Sequence, residues 1–149
     1  MTLAILRDLG PSLIDEDIAR IARNTRCIAM VGLSTNESRP AWGVARYLKS
    51  QGFRVIPVNP QHAGQTILDE IVYADLRAVP ADCRVDMVDI FRRPEAVPEI
   101  VDAALEMPCL RVIWMQLGIS HPPAANRARA RGLTVIEDRC AKIEFSRFL

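Results

Sequence analysis

Short, mainly apolar runs alternate along the chain with segments in which apolar residues recur every three or four positions. The runs are typical of buried strands, and the three-to-four spacing is typical of helices with one apolar face. The apolar runs predict strands at residues 27–32, 54–58, 85–91, 110–115 and 134–136. The periodic segments predict helices at residues 15–24, from residue 40 until Gly52, after residue 94, and from about residue 123 to residue 131.

Two stretches carry weaker patterns. Between the second and third predicted strands, residues 61–84 show one short helical signal near Leu76. Beyond Ile136 we predict only a loop through Cys140 and a short tail.

Strand–helix alternation predicts parallel strands joined by right-handed crossovers. The predicted fold class is therefore α/β, a Rossmann-like doubly wound, mainly parallel five-stranded sheet with helices on both faces. The 149 residues fall within the size range of one domain. We expect a single domain over residues 1–149, with residues 1–24 as a leading helical segment.

Composition narrows the function classes. Half of the residues are apolar and a quarter are charged, as in ordinary soluble proteins, and no apolar run approaches the ~20 residues that cross a bilayer. The net charge of +1 argues against a general binder of nucleic acid or membranes. Four widely spaced cysteines suggest neither a metal site nor a disulfide framework. We therefore expect a cytoplasmic protein with a small-molecule ligand, and a homo-oligomer stays open.

In a doubly wound sheet the ligand lies beyond the carboxyl ends of the strands. The first such turn contains Gly32, Ser34 and Ser38 and leads into a helix beginning at Pro40. Free amides and the helix dipole favour an anion there, and Arg39 adds a forked donor. Alternatively, Ser38 simply caps the helix; the two interpretations are compatible. A Cβ at Gly32 would obstruct the turn or an incoming phosphate.

This turn lacks the pattern of a nicotinamide dinucleotide site. The second and third glycines of GxGxxG are missing after Gly32, and the second strand ends in Asn59 and Pro60 rather than in an acidic residue. The chain also lacks a GxxxxGK[ST] phosphate loop, which argues against an ATPase of that class.

A series of short motifs in order carries a family resemblance. They are Val31-Gly-Leu-Ser34, Ser38-Arg-Pro40, Pro57-Val-Asn-Pro60, Val88-Asp-Ile-Phe-Arg92, Trp114-Met-Gln-Leu-Gly118 and Asp138-Arg-Cys140. From about Cys27 to the C-terminus the chain resembles the small stand-alone CoA-binding domain proteins, which are similar in turn to the CoA-binding domain of the succinyl-CoA synthetase α subunit. The phosphorylated histidine of those synthetases belongs to a second domain, and no segment here resembles that domain.

The resemblance implies coenzyme A or an acyl-CoA as the ligand. It implies a set of cofactor-binding residues at the strand ends, in three groups. The phosphates would be contacted at Gly32, Leu33, Ser34, Ser38 and Arg39, the nucleotide would be flanked by Asn59, Pro60, Phe91 and Arg92, and the pantetheine arm would approach along Gln116 and Gly118. Where the synthetase-like domains often carry a lysine near the phosphates, this chain has Gln61 and His62, so Arg39 or Arg92 would have to contact the 3′-phosphate.

The leading hypothesis is a binding module, accessory or regulatory, without catalytic residues of its own. An enzyme acting on a nucleotide-linked or phosphorylated small molecule is the alternative, with Asp89, Arg92 or His62 as catalytic residues, and a nicotinamide-dependent redox sensor is a third. Asp86 and Asp89 are expected on one strand face, where a carboxylate pair could suggest acid–base chemistry.

Several residues keep two interpretations. Phe91 and Trp114 are expected in the core, with stacking on a ligand as the alternative. Trp42 would cover an adenine or pack against a neighbouring subunit. Cys140 would be an inert buried thiol, or a thiol of low pKa that forms a mixed disulfide with CoA.

Overall fold

The computed structural model describes residues 13–149, and the expected leading segment is therefore covered only from residue 13 onward. The α-helices are α1 (Leu13–Asn24), α2 (Pro40–Ser50), α3 (Val97–Ala104), α4 (Pro122–Ala130) and α5 (Ala141–Ser146). The strands are β1 (Cys27–Val31), β2 (Arg54–Val58), β3 (Thr66–Ile67), β4 (Glu70–Ile71), β5 (Met87–Ile90), β6 (Val112–Met115) and β7 (Thr134–Ile136). Within these residues no helix has both the length and the hydropathy to span a membrane.

Five of the strands form one parallel sheet in the order β2-β1-β5-β6-β7, while β3 and β4 form a separate antiparallel hairpin. Helices α1, α2 and α5 contribute to the apolar cluster on one face of the sheet, and α3 and α4 contribute to the cluster on the other. The predicted Rossmann-like, doubly wound α/β fold is confirmed.

Trp114 belongs to the core, as expected. Its side chain is fully buried, and its ring meets that of Phe145 edge to face at 5.5 Å between centroids. The indole Nε1 donates to the Arg139 carbonyl at 2.7 Å. Because the ring and its N–H are both satisfied inside the protein, Trp114 offers no stacking surface to a ligand.

Two elements were missed by the sequence pattern. The hairpin of β3 and β4 turns through Leu68 and Asp69, which adopt positive φ angles of 48° and 70°. Such a turn usually contains glycine or asparagine, and because Leu68 and Asp69 stand there instead, the sequence does not indicate a hairpin. Helix α5 has six residues, too few for a helical period to stand out. Near Leu76, where one short helix was predicted, the chain forms a 3-10 turn over Leu76–Ala78.

The carboxyl end of β1 touches both of its neighbours in the sheet at Gly32. The Gly32 amide donates to the Val58 carbonyl at 2.8 Å, and the Phe91 amide donates to the Val31 carbonyl at 2.8 Å. Gly32 has a φ of +100°, and a Cβ added there would lie 2.5 Å from the Phe91 carbonyl oxygen. The neighbouring strand and the left-handed turn, rather than a ligand alone, require glycine here.

Replacing Gly32 with alanine should lower the free energy of unfolding by about 2–5 kcal/mol. About 1–2 kcal/mol reflects the left-handed backbone and about 1–3 kcal/mol the clash with Phe91. Gly132→Ala is a matched control, because Gly132 has a φ of +88° with nothing within 4 Å of an added Cβ. Urea denaturation measures both variants. Equal losses would show that the contact with Phe91 does not constrain this position.

Candidate functional site

The loops after β1, β2 and β5 surround a cleft of about 500 Å³ at the carboxyl edge of the sheet. Seven of the sequence-predicted residues line it: Gly32, Ser34, Arg39, Asn59, Pro60, Phe91 and Arg92. The lining also includes residues that were not in the predicted set: Asn36, Pro40, Ala41, Gln61, His62 and Arg93. Among the predicted residues, Leu33, Ser38, Gln116 and Gly118 lie outside the lining.

The loop between β1 and α2 is held in shape by its own side chains. The Asn36 amide donates to Ser34 Oγ at 2.9 Å. Asn36 Oδ1 accepts from the Ser38 amide at 3.0 Å and from Ser38 Oγ at 2.7 Å. Asn36, which was not among the predicted site residues, is therefore the centre of this loop.

Helix α2 begins without a side-chain cap. Its N-cap residue is Arg39, in extended conformation, and no acidic residue occupies the first turn. The prediction that Ser38 caps the helix is wrong, because the Ser38 hydroxyl donates to Asn36 instead. An uncapped helix start leaves amides and the positive end of the dipole for an anion.

The charged side chains in the lining of the cleft are all arginines. Arg39, Arg92 and Arg93 line it, the lining contains no carboxylate, and none of the three has an ion-pair partner among residues 13–149. Several arginines elsewhere in residues 13–149 pair with acids, as Arg54 pairs with Glu70 at 2.8 Å. This concentration of unpaired cations suits a ligand with several negative charges.

Asn59, predicted to flank the ligand, uses its side chain inside the protein. Its Nδ2 donates to the Leu33 carbonyl at 3.2 Å, and its Oδ1 accepts from the Gln61 amide at 3.0 Å. The Leu33 side chain itself is buried in the core at 1% exposure. Asn59 thus joins the loop after β2 to the loop after β1.

Phe91 lies between the apolar core and the cleft. It packs against the apolar cluster that includes α2 and α5, and it also lines the cleft. Trp42 is half-buried and does not line the cleft. Cys140 is partly buried and packs against the same cluster as Phe91, and its reaction with CoA stays a prediction.

The segments that follow β6 and β7 are joined by hydrogen bonds. Gln116, 3% exposed, accepts from the Ala141 amide at 3.0 Å and so caps α5. The Gly118 amide donates to Asp138 Oδ1 at 2.6 Å. Neither residue lines the cleft, and a role for them along a pantetheine arm stays a prediction. The capping role of Gln116 was missed because α5 itself was not predicted.

The expected pairing of Asp86 and Asp89 on one strand face is wrong. Side chains alternate along a strand, so residues three apart point to opposite faces. Asp86 accepts from the Arg26 and Cys27 amides, both at 3.0 Å, at the amino edge of the sheet. Asp89 lies within β5, fully buried, and neither carboxylate oxygen has a hydrogen-bond partner among residues 13–149. This burial raises the pKa of Asp89 well above its usual range.

A second groove of about 460 Å³ lies at the amino edge of the sheet, between the segment 76–85 and the end of α3. Its lining is largely apolar, and its Arg77 is bound to Glu106 at 2.6 Å. The groove and the carboxyl-edge cleft have similar volumes, but of these two only the cleft is lined by three unpaired arginines.

The family comparison covers most of the chain. A family model described as CoA binding domain matches residues 26–146, which include every residue of the cleft lining. The chain is 32% identical over 131 residues to the uncharacterized protein YneT of Bacillus subtilis (strain 168), covering 85% of this chain and 90% of YneT.

Solved structures share the fold. The structure of cell-free ID.343 from Thermus thermophilus is similar with a TM-score of 0.84 at 33% identity, over 91% of this chain and 98% of that one. An acetyl-coenzyme A synthetase of Ca. Korarchaeum cryptofilum, solved with phosphate and ADP, has a TM-score of 0.64 at 21% identity, over 78% of this chain and 27% of the synthetase. The second likeness concerns the fold alone.

Replacing Asp89 with asparagine should change how stability depends on pH. Since the pKa of Asp89 is raised in the folded protein, its contribution is most favourable below the unfolded pKa of about 3.9 and falls as pH rises toward the folded pKa. Over that window the wild type should lose up to about 1.4 kcal/mol per pH unit relative to Asp89→Asn.

Urea denaturation between pH 4 and pH 8 measures this difference. Asp82→Asn is the control, because Asp82 is exposed and should leave the pH profile unchanged. Parallel profiles for the wild type and Asp89→Asn would contradict a buried, neutral carboxyl group.

Proposed function

The chain belongs to the family of CoA-binding domains, and we propose that its carboxyl-edge cleft binds coenzyme A or an acyl-CoA through the nucleotide. The observation that carries the proposal is the set of three unpaired arginines, Arg39, Arg92 and Arg93, beside the uncapped start of α2. The nucleotide of CoA carries several phosphate charges, and forked guanidinium groups and helix amides are the donors that bind phosphate best.

Other parts of the lining suit the uncharged portion of such a ligand. Pro60 and Phe91 add apolar surface next to the polar loop. Gln61 and His62 stand where related domains often carry a lysine, so Arg39 or Arg92 takes over the contact to the 3′-phosphate.

We propose that the chain acts as an accessory or regulatory module rather than as an enzyme. The enzyme alternative named Asp89 as a catalytic residue, but a fully buried carboxyl group in the centre of a strand does not reach a substrate. His62 lines the cleft, with its Nδ1 3.1 Å from Gln65 Oε1, and no carboxylate lines the cleft to orient it as a general base.

The nicotinamide alternative lacks an acceptor for the ribose hydroxyls. A dinucleotide site of this fold uses an acid at the end of the second strand. Here Asn59 occupies that position with its side-chain amide bound to the Leu33 carbonyl, and the cleft lining contains no carboxylate.

Isothermal titration with CoA, NAD and ATP tests the proposal. We expect CoA to bind and to raise the melting temperature, because a ligand specific for the native state stabilises it. NAD should bind far more weakly. Micromolar binding of NAD without detectable binding of CoA would overturn the proposal.

Arg92→Ala should weaken CoA binding by about 1.5–3 kcal/mol, the scale of a hydrogen bond to a charged group. Arg131→Ala is the matched control, because it removes the same charge at a residue that is exposed at the end of α4 and lies outside the cleft. Titration calorimetry with both variants separates a direct contact from the general loss of positive charge. An equal effect of the two substitutions would remove Arg92 from the site.

A further inference from the structure

Asn59 forms hydrogen bonds within the protein through both its side chain and its backbone. Besides the two side-chain bonds, its backbone amide donates to the Tyr73 carbonyl at 2.8 Å, and its carbonyl accepts from the His62 amide at 3.1 Å. The residue is 9% exposed. Although Asn59 lies in the lining of the cleft, its side-chain oxygen and one of its side-chain N–H groups are already bound to the loops on either side.

The bond from Asn59 to the Leu33 carbonyl orients a peptide group of the cleft. The carbonyl of Leu33 and the amide of Ser34 belong to one planar trans peptide and point in opposite directions. With the Leu33 carbonyl held by Asn59, the Ser34 N–H must point away from Asn59. The Leu33 side chain, buried in the core, holds the same peptide from its other end.

The Ser34 amide is a donor without an acceptor among residues 13–149. Ser34 lines the cleft, and its hydroxyl is already held by the Asn36 amide at 2.9 Å. The peptide that Asn59 orients is therefore one whose N–H is unused by the protein and lies at the arginine-lined cleft.

We propose that Asn59 is a positioning and specificity residue, which aims the Ser34 amide at an anionic group of the ligand instead of touching the ligand itself. The inference rests on the proposed function, since it takes the ligand to be the CoA nucleotide. It also explains the amide at this position, because an aspartate would still accept from Gln61 but has no proton to donate to the Leu33 carbonyl. Asn59 thus favours a phosphate and at the same time removes the acid that a ribose diol requires.

Two substitutions separate positioning from charge. Asn59→Ala removes both side-chain bonds, to the Leu33 carbonyl and from the Gln61 amide, without adding charge. It should weaken CoA binding roughly three- to tenfold, the range of one hydrogen bond. Asn59→Asp keeps the oxygen that accepts from the Gln61 amide, but it replaces the N–H that donates to Leu33 and adds a negative charge. The affinity for CoA should therefore fall more than tenfold. The control is Asn126→Asp on α4, an exposed site outside the cleft where an aspartate still accepts from Arg129; its affinity should stay within twofold.

Amide chemical shifts give a readout that loss of stability alone would not move. Saturating CoA should shift the Ser34 amide in the wild-type protein, and this shift should shrink in Asn59→Ala while amides near Arg92 respond as before. The apo melting temperatures show whether each variant folds. If Asn59→Ala does not fold, the test is the Ser34 amide shift of Asn59→Asp, which keeps the bond to the Gln61 amide. The shift is measured at saturating CoA, so that an affinity lost to charge repulsion does not affect it, and a shift equal to that of the wild type would overturn the inference.

Three results would overturn the inference. The first is wild-type affinity in Asn59→Ala, and the second is a weakening confined to Asn59→Asp, which would assign the effect to charge repulsion. The third is a Ser34 shift that is the same with and without Asn59. In each of these cases the proposed function stands, because the wild type still binds CoA. Failure of the wild type to bind CoA would instead overturn both.

Discussion

The close approach of β1 and β5 at Gly32 is the constraint on which the candidate site depends. With the Gly32 amide bound to Val58 and an added Cβ only 2.5 Å from the Phe91 carbonyl oxygen, the ends of three strands meet at one point. The loops that leave this point, together with the first turn of α2, carry all of the residues that line the cleft. Any side chain at residue 32 would separate β1 from β5 and move Arg92 relative to the start of α2.

Around this junction the polar groups divide into two sets. Asn36 and Asn59 are bound within the protein and hold the loops, whereas the side chains of Arg39, Arg92 and Arg93 have no partner within residues 13–149. A site built this way is arranged before the ligand arrives, so little ordering of the backbone remains to be done on binding. The asparagines supply geometry, and the arginines supply charge.

Much of the architecture could be predicted from local pattern. All five strands of the parallel sheet, and four of the five α-helices within residues 13–149, follow from apolar runs and helical spacing, because each buries a face long enough to leave a recognisable signal. Helix α5 and the hairpin of β3 and β4 could not be predicted, because the first is too short and the second turns without glycine. The rule that ligands lie beyond the carboxyl ends of parallel strands then placed seven candidate residues around one cleft.

The sequence by itself determined the order of the elements, the glycine at the end of β1 and the arginines that follow the strands. Only the tertiary structure decided how each polar side chain is used. Asn59 binds Leu33, Gln116 caps α5, and Asp89 has no hydrogen-bond partner within the described residues 13–149. These outcomes depend on which strands are neighbours in space. Strand order places β1 between β2 and β5, although β5 follows β1 by more than fifty residues. No local pattern contains that adjacency, which arises from packing two layers of helices against one sheet.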